Sequence, residues 1–443
     1  MSESTSAPRK SWGQALAVYF EPRQLIILVM GFASGLPLLL TLSTLSYWLA
    51  TTEADLTTIG LFAAVGAPYG WKFLWSPVID QVRLPVLSTL LGHRKSWLIV
   101  LQGFLAVAIF ALGLTDPTTN PFGTAFAVLT VAFFSASQDI VIDAYRIEIL
   151  KEEEQAAGAA TTQIGYRIGL LLAGAGAIAL SDFVSWATVF AVLAACILAC
   201  AVFTLFIPEP QVRRPAFGND YAAWLNEAVV QPFREFMQRR GWVVVLLFIL
   251  FYKFGDAFSG FLANPFYKAM GFSGVEIALM TKIYGLIATM VGGVLGGVIV
   301  ARIGLFRTLM IGGILQAVTN LLFTMLALHG HDLVWLGISI TADNLAGGLA
   351  AAAFVAYLSG LCNKAFTATQ YALLSSFMAQ GRTLMSMPSG WLAEKLQWPE
   401  FWAITAFMAI PGLILLVWIM RLYPDEKRLT TEDKKDETAK VFS

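Results

Sequence analysis

Residues 208–240 read PEPQVRRPAFGNDYAAWLNEAVVQPFREFMQRR, from Pro208 to Arg240, the longest polar stretch in the interior of the chain. Almost everything on either side of it is apolar. Six stretches long enough to cross a bilayer come before it (24–49, 57–79, 97–115, 122–147, 157–180 and 184–207) and six come after it (242–267, 274–300, 307–328, 333–361, 366–391 and 400–421). A helix needs about 20 apolar residues to span the hydrocarbon core, whereas a membrane β-barrel would show short alternating segments. The pattern predicts an all-α membrane protein of twelve transmembrane helices. Its expected units are a six-helix bundle over 1–207, a connector over 208–240, a second six-helix bundle over 241–421 and a disordered tail over 422–443. Within the connector, Tyr221, Trp224, Leu225, Ala228, Val229, Phe233 and Phe236 recur at helical spacing, with Arg234, Arg239 and Arg240 nearby. That combination predicts an amphipathic helix lying at the membrane surface.

Composition agrees. Of 443 residues, 57% are hydrophobic and 13% charged, with a mean hydropathy of +0.70. Soluble domains carry about 25% charged residues, so a soluble surface is excluded. Lys+Arg and Asp+Glu balance at 29 each, which argues against a nucleic-acid partner. Cysteines number three, too few for a disulfide framework. The histidines, His93, His329 and His331, fall in predicted loops, so neither a metal cluster nor any cofactor is expected. The first apolar stretch follows a polar leader containing Arg9, Lys10 and Arg23 and is long enough to span, so it reads as a span and not as a cleavable signal.

Lys and Arg decide the orientation. Of the 29, 22 fall in the leader, the tail and the loops on one side, while the alternate loops hold only Lys268 and Lys395. Both termini are therefore expected to be cytoplasmic. The remaining five cations, Lys72, Arg167, Lys253, Lys282 and Arg382, lie inside spans, as do the acids Asp139, Asp143, Asp256 and Asp343. Each would cost roughly 2.5–3.5 kcal/mol at the bilayer centre, together about 25 kcal/mol if exposed to lipid. They are expected to face one another or water. The acids sit on spans 4, 7 and 10, and four of the cations on spans 2, 5, 8 and 11, with Lys253 beside Asp256. These are equivalent places in a six-plus-six repeat, which points to a shared central cavity. Its small cationic excess suits an anionic or zwitterionic solute.

Tyr47, Gln163, Tyr166, Tyr252, Asn264, Tyr284, Asn344 and Gln370 add polar lining. The glycine-rich runs Gly31–Gly35 and Gly292–Gly297 predict close helix packing, and Pro37, Pro265, Pro388 and Pro411 predict kinks or helix ends. Six plus six spans with a surface connector is the outline of a major facilitator transporter. Such proteins carry a basic loop between spans 2 and 3 of each half. Here the copies are Asp80-Gln81-Val82-Arg83 … Gly92-His93-Arg94-Lys95 and Gly297 … Ala301-Arg302-Ile303-Gly304-Leu305-Phe306-Arg307. Ala301 stands where the pattern usually has an acid. Asp80, Arg83, Arg94, Arg146, Arg302 and Arg307 are the expected gate residues.

Particular segments resemble one family more narrowly. They are Lys72-Phe73-Leu74-Trp75-Ser76-Pro77 with Asp80, Ser137 to Arg146, Tyr252-Lys253-Phe254-Gly255-Asp256-Ala257-Phe258, Met280-Thr281-Lys282, Asp343-Asn344-Leu345-Ala346-Gly347-Gly348, Leu361 to Ser375, and Gly381-Arg382. Over roughly 20–420 the chain is similar to the AmpG muropeptide permeases, and acetyl-CoA transporters share part of the pattern. Gln81 replaces an expected arginine, and the loop from Gln81 to Leu91 is extended. Both departures touch the gate and leave the cavity alone.

The resemblance implies proton-driven import, across a bacterial inner membrane, of N-acetylglucosaminyl-1,6-anhydro-N-acetylmuramic acid with or without its stem peptide. That import would serve wall recycling and β-lactamase induction. Separately, the protein is expected to act as a monomer. Asp139 and Asp143, one helical turn apart, are the first proton-coupling candidates, Asp256 beside Lys253 and Asp343 are the others, and Asp139 is favoured. Lys72, Arg167, Lys253, Asp256, Lys282, Asp343, Asn344, Gln370 and Arg382 are the candidates for substrate binding or charge relay. Other readings are a carrier of another bulky anion, such as acetyl-CoA or a sugar acid, a membrane-embedded transferase, and a non-transporting sensor.

Overall fold

Helix boundaries follow the local chemistry. Asn120 accepts from the Gly123 amide at 2.9 Å ahead of Pro121, and Asp332 accepts from the Val334 and Trp335 amides at 2.8 and 3.1 Å. Each cap satisfies donors that a helix start leaves open. The computed structural model describes residues 13, 17–41, 44–45, 48–49, 67–211, 230–260, 262–273, 276–277, 279–386 and 388–423, without the side chains of residues 264, 282, 283 and 383. Tyr47, the first part of span 2, connector positions 221–229, the tail from 424, and the side chains of Asn264 and Lys282 therefore lie outside the described residues.

Among the described residues every regular element is helical. Ten helices are long and apolar enough to span a membrane: α1 (Pro22–Leu40), α3 (His93–Gly113), α4 (Pro121–Ile149), α5 (Glu152–Ser181), α6 (Trp186–Phe206), α7 (Trp242–Ala269), α8 (Leu279–Ile303), α9 (Leu305–His329), α10 (Leu333–Gly360) and α12 (Trp398–Leu422). The other two of the twelve are α2, described over 67–81, and α11 (Thr367–Ser386). The polarity of α11 has a reason: it packs against α2, α4 and α7, between the halves. Its Thr, Gln, Ser and Arg side chains need not face lipid.

Chain direction alternates, so the start of α1, the ends of α2 and α4, and both ends of the connector share one face, hereafter the connector face. The repeat is visible in the backbone. Gly92 before α3 and Gly304 before α9 both have φ 92°, a conformation other residues rarely adopt. In each half the third helix packs on the fourth and sixth, α3 on α4 and α6, α9 on α10 and α12. Only the last seven-residue turn of the predicted connector helix is described, as Gln231–Met237.

Glycines let the paired helices touch backbone to backbone, as the sequence predicts. A Cβ on Gly31 would lie 2.3 Å from the Thr162 carbonyl oxygen, and one on Gly165 2.0 Å from that of Leu28, so α1 and α5 are in direct contact. Between α8 and α10 the same distances are 2.1 Å at Gly292 and 2.2 Å at Gly348. Dispersion at such contacts replaces the hydrophobic drive that lipid removes. The halves meet where α5 packs on α8 and α10, and where α2 and α4 pack on α11.

Three of the five interior cations sit where a helix departs from regularity. Lys72 lies in a 3₁₀ turn (Lys72–Leu74), Lys253 in the break between Trp242–Phe251 and Phe254–Gly260, and Lys282 in a π-helical stretch (Leu279–Tyr284). Such interruptions free backbone groups and concentrate at functional positions. Of the four prolines, Pro37 lies inside α1, whereas Pro388 and Pro411 stand at helix starts.

Replacing Gly165 by leucine is expected to separate α1 from α5 and cost about 1–3 kcal/mol or more. Thermal unfolding in detergent checks this, with a melting temperature several degrees below the parent.

Candidate functional site

A fully buried cluster of charged side chains lies at the connector face. Asp80, at the end of α2, places Oδ1 2.6 Å from Arg94 Nη2, and the same nitrogen lies 2.5 Å from Glu148 Oε1. All three side chains are fully buried. The other Asp80 oxygen accepts from the Thr369 amide at 3.0 Å and the Thr369 hydroxyl at 3.1 Å. Thr369 belongs to the first turn of α11, where amides are unpaired and the helix dipole is positive. Two carboxylates and one guanidinium therefore carry a net negative charge, which a helix end of the opposite half offsets. Glu209, at the head of the connector, caps α3 through the amides of Arg94 and Lys95 at 2.8 and 3.0 Å.

Arg146 is the second link across the halves. It is buried on α4, its guanidinium 5.3 Å from the Tyr371 ring centre on α11 and 3.7 Å from Asp143. Of the other expected gate residues, Arg83 and Arg307 are exposed and Arg302 is half-buried. Ala301 leaves the second half without an acid at the position that matches Asp80.

Farther from that face the interior charges fall into two groups. In the first half Asp143 lies between Arg146 and Lys72, whose Nζ is 3.8 Å away, and Asp139 accepts a 2.6 Å hydrogen bond from Ser34. In the second half Lys253 and Asp256 are 4.0 Å apart and more than a quarter exposed, though they lie mid-helix in the bilayer. Asp343 and Arg382 are within electrostatic reach of this pair, and Arg382 is exposed. Charged side chains this deep and still partly accessible are expected to face water, since lipid contact would be prohibitive. At 1.5 Å per residue, Asp143 is about 9 Å from the connector end of its helix and Asp343 about 26 Å. The groups thus sit at different depths.

Some expected lining residues are engaged elsewhere. Gln370 is buried at the connector face, donating to Glu235 at 2.6 Å and to the Pro232 carbonyl at 3.1 Å; its position ties α11 to the connector, not to the cleft. Asn344 joins α10 to α8 by accepting from Thr289 at 2.8 Å. Tyr252 is buried and donates to the Leu309 carbonyl. Arg167 is half-buried, and its Nε has no hydrogen-bond partner among the described residues. Gln163 and Tyr284 are exposed. Sequence reasoning passed over Glu148, Thr369, Tyr371, Ser34, Gln316 and Thr319. Hydroxyls and amides inside spans look alike until their partners are known, but Gln316, Thr319 and Asn320 share one helical face, a signal that could have been read.

Comparison with known proteins decides the family. Over 406 residues the chain is 41% identical to the anhydromuropeptide permease of Escherichia coli K12, covering 91% of this chain and 81% of that one. The chain belongs to the AmpG permease family of the major facilitator superfamily. A putative AmpG 4 transporter of Rickettsia conorii is 36% identical, with 91% and 97% covered. The Major Facilitator Superfamily profile matches residues 250–442, and a profile described as acetyl-coenzyme A transporter 1 matches residues 24–188. Among solved structures the proton:xylose symporter XylE aligns with TM-score 0.65 at 12% identity, covering 92% and 96% of the two chains. The human organic anion transporter MFSD10 aligns at 0.61 and 15% identity, covering 92% and 100%. This AmpG-family member is thus a multi-pass membrane transporter and not an enzyme.

Substituting Arg94 by methionine strands two buried carboxylates and is expected to cost about 3–5 kcal/mol. Thr369→Val removes one of the two donors to that carboxylate oxygen, about 1.5–3 kcal/mol. Unfolding curves of the two purified variants should separate in that order.

Proposed function

We propose that the protein imports peptidoglycan fragments, GlcNAc-1,6-anhydro-MurNAc with or without stem peptide, in symport with protons. Its place is the bacterial inner membrane, as a monomer with both termini cytoplasmic, in the service of wall recycling and β-lactamase induction. The observation that carries the reading is near-full-length identity of 41% to a protein named anhydromuropeptide permease. The connector face is then the cytoplasmic one. With the Asp80 latch closed there, the bundles 1–207 and 241–421 present their charged cleft towards the outside, and import requires the latch to part.

The charges supply a coupling scheme. Lys253 and Arg382 balance Asp256 and Asp343 in the absence of solute. A stem-peptide carboxylate arriving at Arg382 takes up one of those cations, and a proton on an aspartate restores the balance. In the first half Asp139, held by Ser34, is the coupling candidate, because Asp143 already stands between two cations. Lys72 and Arg167 would meet the remaining polar groups of the sugar.

A second reading is supported by the acetyl-coenzyme A transporter profile over residues 24–188, and substrate competition separates the two. Uptake of labelled muropeptide into vesicles should be driven by an acid-outside gradient and resist excess acetyl-CoA. Uptake of labelled acetyl-CoA with no uptake of muropeptide favours the second reading. Asp139→Asn is expected to abolish gradient-driven accumulation; unchanged accumulation removes Asp139 from the coupling role. Arg382→Ala should weaken transport of peptide-bearing fragments about ten- to a hundredfold, the worth of one charge-assisted hydrogen bond, and of sugar-only fragments far less. Equal loss of both refutes carboxylate recognition by Arg382.

A further inference from the structure

A polar turn on α9, outside the set of cleft residues, holds both second-half acids. Gln316, Thr319 and Asn320 are all buried. Gln316 Nε2 donates to Asp256 on α7. Thr319 Oγ1 lies 3.2 Å from Asp343 on α10 and 3.0 Å from the Gln316 backbone carbonyl. Asn320 reaches α7 as well, since a Cβ on Gly255 would lie 3.3 Å from its Nδ2. One helix turn therefore touches both acids that the charge scheme requires.

Two details go beyond a static bridge. The Thr319 hydroxyl has one hydrogen and two acceptors in reach, so it can serve only one at a time. With Asp343 ionised, the hydrogen points at the carboxylate. With Asp343 protonated, the acid O–H donates to Thr319 and the Thr319 hydrogen turns to the Gln316 carbonyl. Gln316 is similarly two-sided. Its Nε2 is used, and its Oε1 is buried with no hydrogen-bond partner among the described residues. Turning the amide over would present that oxygen to a protonated Asp256.

We propose that Gln316 and Thr319 are positioning residues which hold Asp256 and Asp343 in either protonation state, making this acid pair a proton-carrying unit of the transporter. No bond other than O–H changes: a proton from the water-filled cleft joins a carboxylate oxygen and later leaves it. Around the pair stand Lys253, Tyr252 and Tyr267 from α7 and Arg382 from α11. Lys282 lies on α8, its side chain outside the described residues. The cations set the pair's charge balance, and the α9 turn supplies its hydrogen bonds.

The inference rests on the proton-coupled reading, so its test includes a readout without substrate. Infrared pH titration of the carboxyl C=O band, on full-length protein in lipid, follows the acids directly; Asp256→Asn and Asp343→Asn assign the band. In Gln316→Leu the donor to ionised Asp256 is lost, and the midpoint of that band should move alkaline by about one pH unit. Thr319→Val should broaden or shift the Asp343 component, and Thr319→Ser should restore it. In proteoliposomes carrying GlcNAc-1,6-anhydro-MurNAc, accumulation by Gln316→Leu should fall at least tenfold and exchange less than threefold. Wild-type infrared midpoints in both Gln316→Leu and Thr319→Val overturn the proposal. So does a shift that Thr319→Ser fails to reverse, because the role is then packing alone. If the parent protein neither exchanges nor accumulates this sugar, the transport reading fails while the infrared result still decides the inference.

Discussion

An ionised side chain taken out of water into a hydrocarbon slab must find an opposite charge, a helix end or a wet cleft within a few ångströms. Asp80 shows how the molecule meets that demand. Its carboxylate is shared between Arg94 of its own half and the first turn of α11 in the other, with no side-chain exposure at all. A contact that offsets a buried charge only when both halves are present also makes the charge a record of their relative position. Parting the halves at this face leaves the Asp80–Glu148 pair short of compensation until water arrives.

The deeper charges meet the same demand in another way. Lys253, Asp256 and Arg382 keep part of their surface accessible, so they rely on one another and on water. Helix irregularity helps. The turn at Lys253, the 3₁₀ turn at Lys72 and the π stretch at Lys282 break the regular ladder at cation positions. The two groups thus meet one demand under two conditions, fully buried at one face and partly accessible in the middle.

The glycine contacts set how closely the helices pack. α1 on α5 and α8 on α10 touch backbone to backbone, and α5 also approaches α8 closely, a Cβ on Gly297 lying 3.0 Å from the Ala157 Cα, whereas α2 meets α11 through polar contacts such as Asp80 with Thr369.

Span number, the six-plus-six division and the misplaced charges were legible in the amino-acid sequence, because crossing a bilayer demands long apolar runs and penalises each exception visibly. The glycine runs were legible for a related reason: only a missing side chain allows such approach. The partners were not. Nothing along the chain distinguishes Gln370, which holds the connector, from a residue of the cleft, or marks Thr319 as the neighbour of Asp343. Hydropathy reports how costly a residue is in lipid, whereas hydrogen bonding depends on which helix faces which and at what depth. Tertiary structure alone decided that Asp80 answers to Thr369, 289 positions away, since the rotation and height of two packed helices determine which polar atoms come within 3 Å.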